Sequence, residues 1–311
     1  MTTAASPLAV SFASLEFQNP LLLASGTAAY GREIAGVINL DTLGGIVTKA
    51  VSPLPRPGAP APRVSDFDGG MINAVGLANP GVETVRDEEL PWLAAKLRHA
   101  RVIVNVVGDA IEDFAAVVAE LDDVEGVAAF ELNVSCPNVK AGGMEFGADD
   151  GTLQQLVGMA RASTKRPITV KLSPALPNVA RSASVAVDAG ADALTLINTL
   201  PGLVVDVETR TPVLGFGSGG VSGVGLLPVG VLAVWRVSRA VNVPLIGVGG
   251  VSRGTDVVQY MLAGATLVGM GTAAMKDPRA PERVVRELTS WCASHRVDSV
   301  GDLIGTLEWP E

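Results

Sequence analysis

Cysteine and histidine are almost missing from this chain, with two of each among 311 residues: Cys136 and Cys292, His99 and His295. Two cysteines far apart in sequence build neither a disulfide framework nor a metal knuckle. With so few histidines beside them, a zinc site or an iron–sulfur cluster of the chain's own is not expected. Aromatic residues make up only 4% of the chain and charged residues 18%. The net charge is -9 with a pI near 4.8 and no basic cluster, which argues against a nucleic-acid or anionic-membrane surface. No apolar stretch runs long and unbroken enough to span a bilayer. Residues 1–14 lack the basic flank and long apolar run of a signal peptide. The expectation is a cytoplasmic protein with no metal site.

What the chain does have is apolar residues, 48% of the total, and length enough for a large core. Glycine (35) and proline (20) are scattered, as turn punctuation is, rather than gathered in low-complexity tracts. Eight short β-prone runs recur: 21–25, 45–50, 102–107, 127–134, 168–172, 193–198, 244–248 and 266–270. They are nearly continuously apolar, as strands buried on both faces must be. Between them lie helix-compatible segments, among them 111–121, 152–163, 179–189, 229–241 and 255–263. Strand–helix alternation repeated eight times predicts a (β/α)8 TIM barrel, formed by residues 1–311 as one domain. A doubly wound open sheet is the structural rival, but no Gly-x-Gly-x-x-Gly joins a first strand to a helix.

The last residues of these runs are polar or small: Ser25-Gly26, Lys49, Asn105, Asn133, Lys171, Asn198-Thr199, Gly249-Gly250 and Gly271-Thr272. A barrel gathers such ends on one face, where enzymes of this architecture build their sites. Lysines and asparagines closing otherwise hydrocarbon strands are costly unless they serve something, although a single such lysine is usually a snorkelling surface residue. The two glycine turns after strands seven and eight let backbone N–H groups approach a phosphate; read singly, they are also ordinary tight turns. Gly219 to Gly223 offer further backbone donors. Lys49 and Lys171 suit an electron-rich ring, since an ammonium beside a reduced flavin stabilises the anion. Asn105, Asn133 and Asn198 have the paired donors and acceptors that amide-bearing rings need. The loop Asn73-Ala74-Val75-Gly76-Leu77-Ala78-Asn79-Pro80-Gly81 suits a small polar heterocycle, or is simply a capped loop of the barrel top.

The most informative segment is Glu131-Leu132-Asn133-Val134-Ser135-Cys136-Pro137-Asn138, where an apolar run ends in an amide, a hydroxyl, a thiol and a second amide. Cys136 reads two ways. It is a buried structural thiol, common for this residue type, or a proton acceptor, since a reference pKa of roughly 8.5 leaves it partly thiolate.

These pieces, taken in order, resemble the dihydroorotate dehydrogenase family. The matching stretches are ASGT ending at Thr27, TKA at Ala50, NAVGLANPG at Gly81, ELNVSCPNVKAGG at Gly143, VKLSP at Pro174, INTLPG at Gly202, GGVSG at Gly223, GVGG at Gly250 and GMGT at Thr272. The SCPN piece combined with NxxGLxNPG is the specific part; the glycine pieces are common among phosphate-binding barrels. The resemblance implies FMN at the barrel mouth, contacted by Ser25, Lys49, Ala50, Asn105, Asn133, Lys171, Ile197, Gly223, Gly249, Gly250, Gly271 and Thr272. It implies dihydroorotate held by Lys49, Asn73, Ala74, Val75, Gly76, Leu77, Asn133, Asn198 and Thr199. Cys136 would be the base that removes the C5 proton as hydride leaves C6 for flavin N5, giving orotate in pyrimidine biosynthesis.

Cysteine at the base position, and no N-terminal membrane-binding extension, resemble the cytosolic class of the family. VKAGGMEFG after SCPN resembles its NAD-linked form. That form works with a separate subunit carrying FAD and an iron–sulfur cluster, in a heterotetramer of two catalytic and two electron-transfer chains. The family's usual Pro-Ala-Ile-Lys-Pro after GGVSG is here Val224-Gly225-Leu226-Leu227-Pro228, which bears on the flavin-side loop and on the partner contact. The readings that compete are a fumarate-linked homodimer, a flavin-free lyase using Lys49 or Lys171 as a Schiff-base nucleophile, and a non-catalytic barrel scaffold.

Overall fold

The computed structural model describes residues 6–135, 137–138 and 144–310. Eight parallel strands follow one another around a closed barrel. They are β1 (Leu21–Leu23), β2 (Gly45–Val47), β3 (Arg101–Val106), β4 (Val127–Asn133), β5 (Ile168–Leu172), β6 (Ala193–Leu196), β7 (Leu245–Val248) and β8 (Leu267–Met270). The pairing of β8 with β1, Val268 opposite Leu21, closes the ring. Every expected strand is present in its expected place. Most end a residue or more early on the C-terminal side, where the chain leaves the ladder for the mouth of the barrel.

Helices α1 (Leu90–Lys96), α2 (Ile111–Leu121), α3 (Asp150–Ala162), α4 (Val179–Asp188), α5 (Leu227–Ser238), α6 (Gly254–Leu262) and α7 (Ala280–His295) follow strands β2 to β8 in turn. The expected alternation fails once. Between β1 and β2 the chain forms turns and one 3-10 turn, Leu40–Thr42, in place of an α-helix. Gly26 and Gly31 hold φ of +79° and +92° there, a left-handed conformation that interrupts helix propagation. Where helices do form, the apolar spacing explains the docked face. Along α2, Phe114, Val117, Val118 and Leu121 are buried, a stripe at i, i+3, i+4 and i+7. Each such side chain contributes about 1.5–3 kcal/mol on burial. The start of α3 is capped by Asp149, whose carboxylate accepts the Thr152 N–H at 2.8 Å.

Two accessory elements decide what the barrel ends look like. A hairpin, Val10–Phe12 with Leu15–Phe17, precedes β1 and buries Phe12 and Phe17 edge to face with ring centroids 6.0 Å apart. A four-stranded antiparallel sheet is built from Val64–Phe67 and Gly70–Asn73, in the β2-to-β3 connection, and Leu200–Gly202 and Gly219–Ser222, after β6. Strands β2 and β6 stand four places apart in a ring of eight, on opposite walls. The pairing of Gly219–Ser222 with Gly70–Asn73 therefore ties opposite loops together across the C-terminal face. Sequence patterning did not foresee this sheet, because its strands are short and glycine-rich.

At the other end Asp41 holds the entry into β3. Its Oδ1 accepts the N–H groups of Arg98, His99 and Ala100 at 2.9, 2.8 and 2.9 Å. Partial burial pushes its pKa up, but these three N–H groups and the charge of His99 outweigh it, so the carboxyl sits below its ordinary value near 3.8. A depressed folded-state pKa stabilises fully above that ordinary value and ceases to do so as pH falls through the lower one. Asp41→Ala is expected to destabilise the protein by about 2 kcal/mol at pH 7. Thermal unfolding from pH 7 to pH 3 should show the gap between the two proteins narrowing below about pH 4. A gap constant with pH would mean that the carboxylate charge contributes nothing.

Candidate active site

The inner face of the barrel is polar on one side. Glu131 on β4 accepts from Asn105 Nδ2 on β3 at 2.6 Å and from Thr195 Oγ1 on β6 at 2.7 Å. To reach Thr195 it passes the intervening strand β5, which is possible only on the concave side of a closed sheet. Thr169 of β5 lies within 3.2 Å of Thr195. With a side-chain period of two along a strand, Asn133 and Lys171 point inward as well, one layer nearer the mouth. Lys171 is in register with Asn133 on one side and Thr195 on the other. It is 6% exposed, and no hydrogen-bond or ion-pair partner meets its ammonium among the described residues.

Above that layer a second cluster forms where β4 and β6 end. Asn198 Nδ2 donates to Ser135 Oγ at 2.6 Å and reaches Asn133 Oδ1 at 3.4 Å. Ser135 Oγ donates to Asn133 Oδ1 at 2.8 Å, and Asn198 Oδ1 accepts the Thr199 N–H at 2.8 Å. Thr199 lies directly against Gly220: a Cβ there would fall 2.0 Å from Thr199 Oγ1. The Gly220 carbonyl in turn accepts from Asn73 Nδ2 at 3.2 Å. Asn73, Asn133, Asn198 and Thr199, far apart in sequence, thus belong to one connected group.

The rest of the Asn73–Gly81 segment is held differently. Ala74 N–H donates to the Arg63 carbonyl, and the Val75 carbonyl accepts from Ala59 N–H. A Cβ on Gly76 would strike Ala59 N at 2.4 Å, and Leu77 turns through φ +56°. Ala74 to Leu77 therefore pack on the 58–63 segment of their own connection. Asn79 is the cap: it accepts from Gly81 N–H and donates to Ser52 Oγ and the Leu77 carbonyl.

Lys49 lies two residues beyond β2, half-buried. Burial, then the nearby charge of Arg63, hold its pKa below the ordinary lysine range, against a smaller opposing pull from Glu33. Ser25 Oγ donates to the Thr48 carbonyl at 2.8 Å, and Tyr30 donates to the Ala50 carbonyl at 3.4 Å, so β1 and β2 meet at this corner. Ile197 is buried, its N–H bonded to the Val248 carbonyl at 3.1 Å.

At the far side, the ends of β7 and β8 leave backbone donors unanswered. The N–H groups of Gly249, Gly250 and Gly271 meet no protein acceptor among the described residues. Gly250, with φ +75°, packs so closely on α5 that a Cβ would come within 2.4 Å of Leu227 N. Gly223, at φ +120°, lies on Gly70, where a Cβ would fall 2.5 Å from Gly70 Cα. Thr272 Oγ1 donates to Ser222 Oγ at 2.8 Å. One expectation needs correcting here. Gly219 to Ser222 form a paired strand, so their backbone groups serve the sheet, and Gly223 alone of that stretch lies outside it. Val224–Leu226 make a 3-10 turn running straight into α5, with Pro228 in its first turn. The altered residues after Gly223 are thus a well-formed helix start.

Cys136 lies outside the described residues. Cys292 is buried in α7, and burial pushes its thiol pKa up, away from the thiolate.

The profile of the family described as dihydroorotate dehydrogenase matches residues 7–291. The chain belongs to the dihydroorotate dehydrogenase family. It is 45% identical over 301 residues to a protein of Geobacter sp. (strain M21), covering 97% of this chain and 98% of that one. It is 46% identical to a protein of Pelobacter propionicus over the same shares of both chains. Both are named dihydroorotate dehydrogenase B (NAD(+)), catalytic subunit.

Thr169 and Thr195 are the side chains of this site that sequence reasoning passed over, and it gave Glu131 and Ser135, though part of the Glu131–Asn138 segment, no role of their own. Glu131 did leave a signal: a carboxylate inside the run Val127–Asn133 has to be buried, which is costly unless it is partnered.

Lys49 also makes a testable conflict between folding and binding. Its lowered pKa means that the charged form weakens folding below that pKa, and the penalty fades as pH rises towards 10.5. Lys49→Met is expected to raise the thermal midpoint of the ligand-free protein at pH 7. At pH 10 the gain should be smaller. Thermal unfolding at both pH values checks the sign, and a lower midpoint at pH 7 would contradict it.

Proposed function

We propose that this chain is the catalytic subunit of an NAD-linked dihydroorotate dehydrogenase, oxidising dihydroorotate to orotate in pyrimidine biosynthesis. The observation that carries the reading is Lys171, a lysine only 6% exposed in the barrel mouth with no carboxylate beside it among the described residues. A charge so far withdrawn from water without a partner is costly, and it is answered when an anionic or electron-rich ligand sits against it. The lysine is in register with Asn133, which belongs to the cluster that would hold the substrate.

The residues present fit FMN. Gly249, Gly250 and Gly271 offer free N–H groups at the ends of β7 and β8, where barrels hold a single phosphate. Lys171 and Asn105 would hold the polar ring, and Ser25, Lys49, Ala50, Asn133, Ile197, Gly223 and Thr272 would complete the cradle. When bound, FMN supplies the two-electron acceptor that takes hydride from C6 of dihydroorotate. The chain's own residues bind and orient the substrate. Asn73, Asn133, Asn198 and Thr199 match the donors and acceptors of its ring, with Ala74 to Leu77 forming the loop beside them. Lys49, in the positive field of Arg63, suits its carboxylate. Cys136 takes the C5 proton; this role rests on the family resemblance and on the position of the thiol three residues after Asn133.

The whole chain acts as one FMN-binding barrel. No helix among the described residues is long and apolar enough to cross a membrane, and we place the protein in the cytoplasm. Its electrons pass to NAD through a separate subunit carrying FAD and an iron–sulfur cluster, in an assembly of two chains of each kind.

The purified protein is expected to be yellow, to release FMN and not FAD on denaturation, and to bleach when dihydroorotate is added without air. Chromatography of the released cofactor and an anaerobic absorbance trace decide this. A colourless protein that borohydride traps covalently on a carbonyl substrate would favour a Schiff-base lyase.

Cys136→Ser should keep the fold and the flavin but lose most of the rate of bleaching near neutral pH, because a serine hydroxyl is far harder to ionise than a thiol. The wild-type rate should rise with pH and level off above the thiol's pKa. Cys292→Ser should match wild type, since that thiol is buried in α7. Stopped-flow traces of the three proteins against pH separate the roles. A fully active Cys136→Ser protein would place the base elsewhere.

A further inference from the structure

Four side chains at the floor of the site form a polar chain with a fixed direction. Thr169, Glu131 and Thr195 are each 1% exposed and Asn105 is fully buried. Thr195 Oγ1 donates its proton to Glu131 Oε2, so its contact with Thr169 Oγ1 at 3.2 Å has Thr169 as donor. Asn105 Nδ2 donates to Glu131 Oε1. Both carboxylate oxygens of Glu131 thus act as acceptors. The Asn105 amide therefore cannot turn over, because that would set its oxygen against Oε1 at 2.6 Å, two acceptors face to face. The consequence falls on Asn105 Oδ1. It is the single buried side-chain nitrogen or oxygen without a partner among the described residues.

No cation of the described residues forms an ion pair with Glu131. A buried carboxylate without a counter-charge is an expensive way to fill space. What it provides that leucine or glutamine would not is direction. We infer that Glu131 is a positioning residue: it locks the Asn105 amide so that Oδ1 is a fixed acceptor for a ring N–H of the bound ligand. The chemistry required is a lactam or imide N–H, which both the polar ring of FMN and dihydroorotate possess. The inference rests on the flavin and dihydroorotate reading of the site.

A double-mutant cycle tests it, with two ligand arms: FMN binding to the deflavinated protein by fluorescence quenching, and orotate binding to the FMN-loaded protein by its effect on flavin absorbance. In Glu131→Gln the new amide can donate to Asn105 Oδ1, and Asn105 is then free to turn its NH2 towards the ligand. Glu131→Gln is expected to weaken one of the two ligands about tenfold. Asn105→Ala should weaken the same ligand, and adding Glu131→Gln to Asn105→Ala should weaken it no further. Loss on the FMN arm assigns the N–H to the flavin; loss on the orotate arm assigns it to the substrate. Thr195→Val keeps the carboxylate and removes one of its anchors, and serves if Glu131→Gln does not fold. It should give a loss of about threefold on the same arm, again absent in the Asn105→Ala background. Unchanged affinity for both ligands, or losses that add to that of Asn105→Ala, would overturn the inference. Glu131 would then be a folding residue and Oδ1 would be satisfied by internal water. Failure of the parent reading is distinct, because the wild-type protein would then bind neither FMN nor orotate.

Discussion

The interior of a closed barrel is cut off from water, so any polar side chain pointing inward must be answered by another side chain or by a ligand. That constraint organises this protein. Glu131, Asn105, Thr195 and Thr169 answer one another from four adjacent strands, and only one of their buried atoms, Asn105 Oδ1, is left over. One layer nearer the mouth Lys171 meets no partner among the described residues. Protein groups satisfy the floor, and the demand for a partner rises towards the face where a ligand can enter. A binding site is in this sense the part of the interior whose polar groups the fold does not satisfy.

The second organising element is the small sheet across the mouth. Loops from opposite walls would move independently if each were anchored only at its own strand. Pairing Gly70–Asn73 with Gly219–Ser222 makes them one unit, and the same pairing sets Gly220 between Asn73 and Thr199. Glycine is needed at Gly220 and Gly223 because another chain segment occupies the space of a side chain. The glycines that resembled phosphate-binding turns therefore divide into two kinds. Those after β7 and β8 have N–H groups that meet no acceptor among the described residues, and those at Gly219 and Gly220 serve close packing.

Family membership and geometry bear on different questions. The match to dihydroorotate dehydrogenases over nearly the whole chain speaks for the reaction class. The geometry gives partners to side chains that the motif carries without a role: the carboxylate beneath Asn105 and the serine between Asn133 and Asn198. It also shows that the one departure from the family pattern, Val224 to Pro228, folds as a regular helix start.

The barrel itself was legible in the chain because its causes are local. Strands buried on both faces need continuous apolar runs, and such runs are visible one at a time; β1 to β8 all lie where those runs lie. The helices on the outer wall show an apolar stripe for the same reason, and the missing first helix could be read only in retrospect from Gly26 and Gly31. The residues ending each strand were legible too, since polarity at the end of a hydrocarbon run stands out. What the chain could not reveal was pairing. Glu131 meets partners 26 and 64 positions away, and which of the inward-facing residues share a layer depends on the register at which eight strands close. Likewise the sheet over the mouth arises from weak, glycine-rich segments whose only common feature is that barrel closure brings opposite loops within reach. Local sequence determined the elements and the candidates, and closure decided which of them touch.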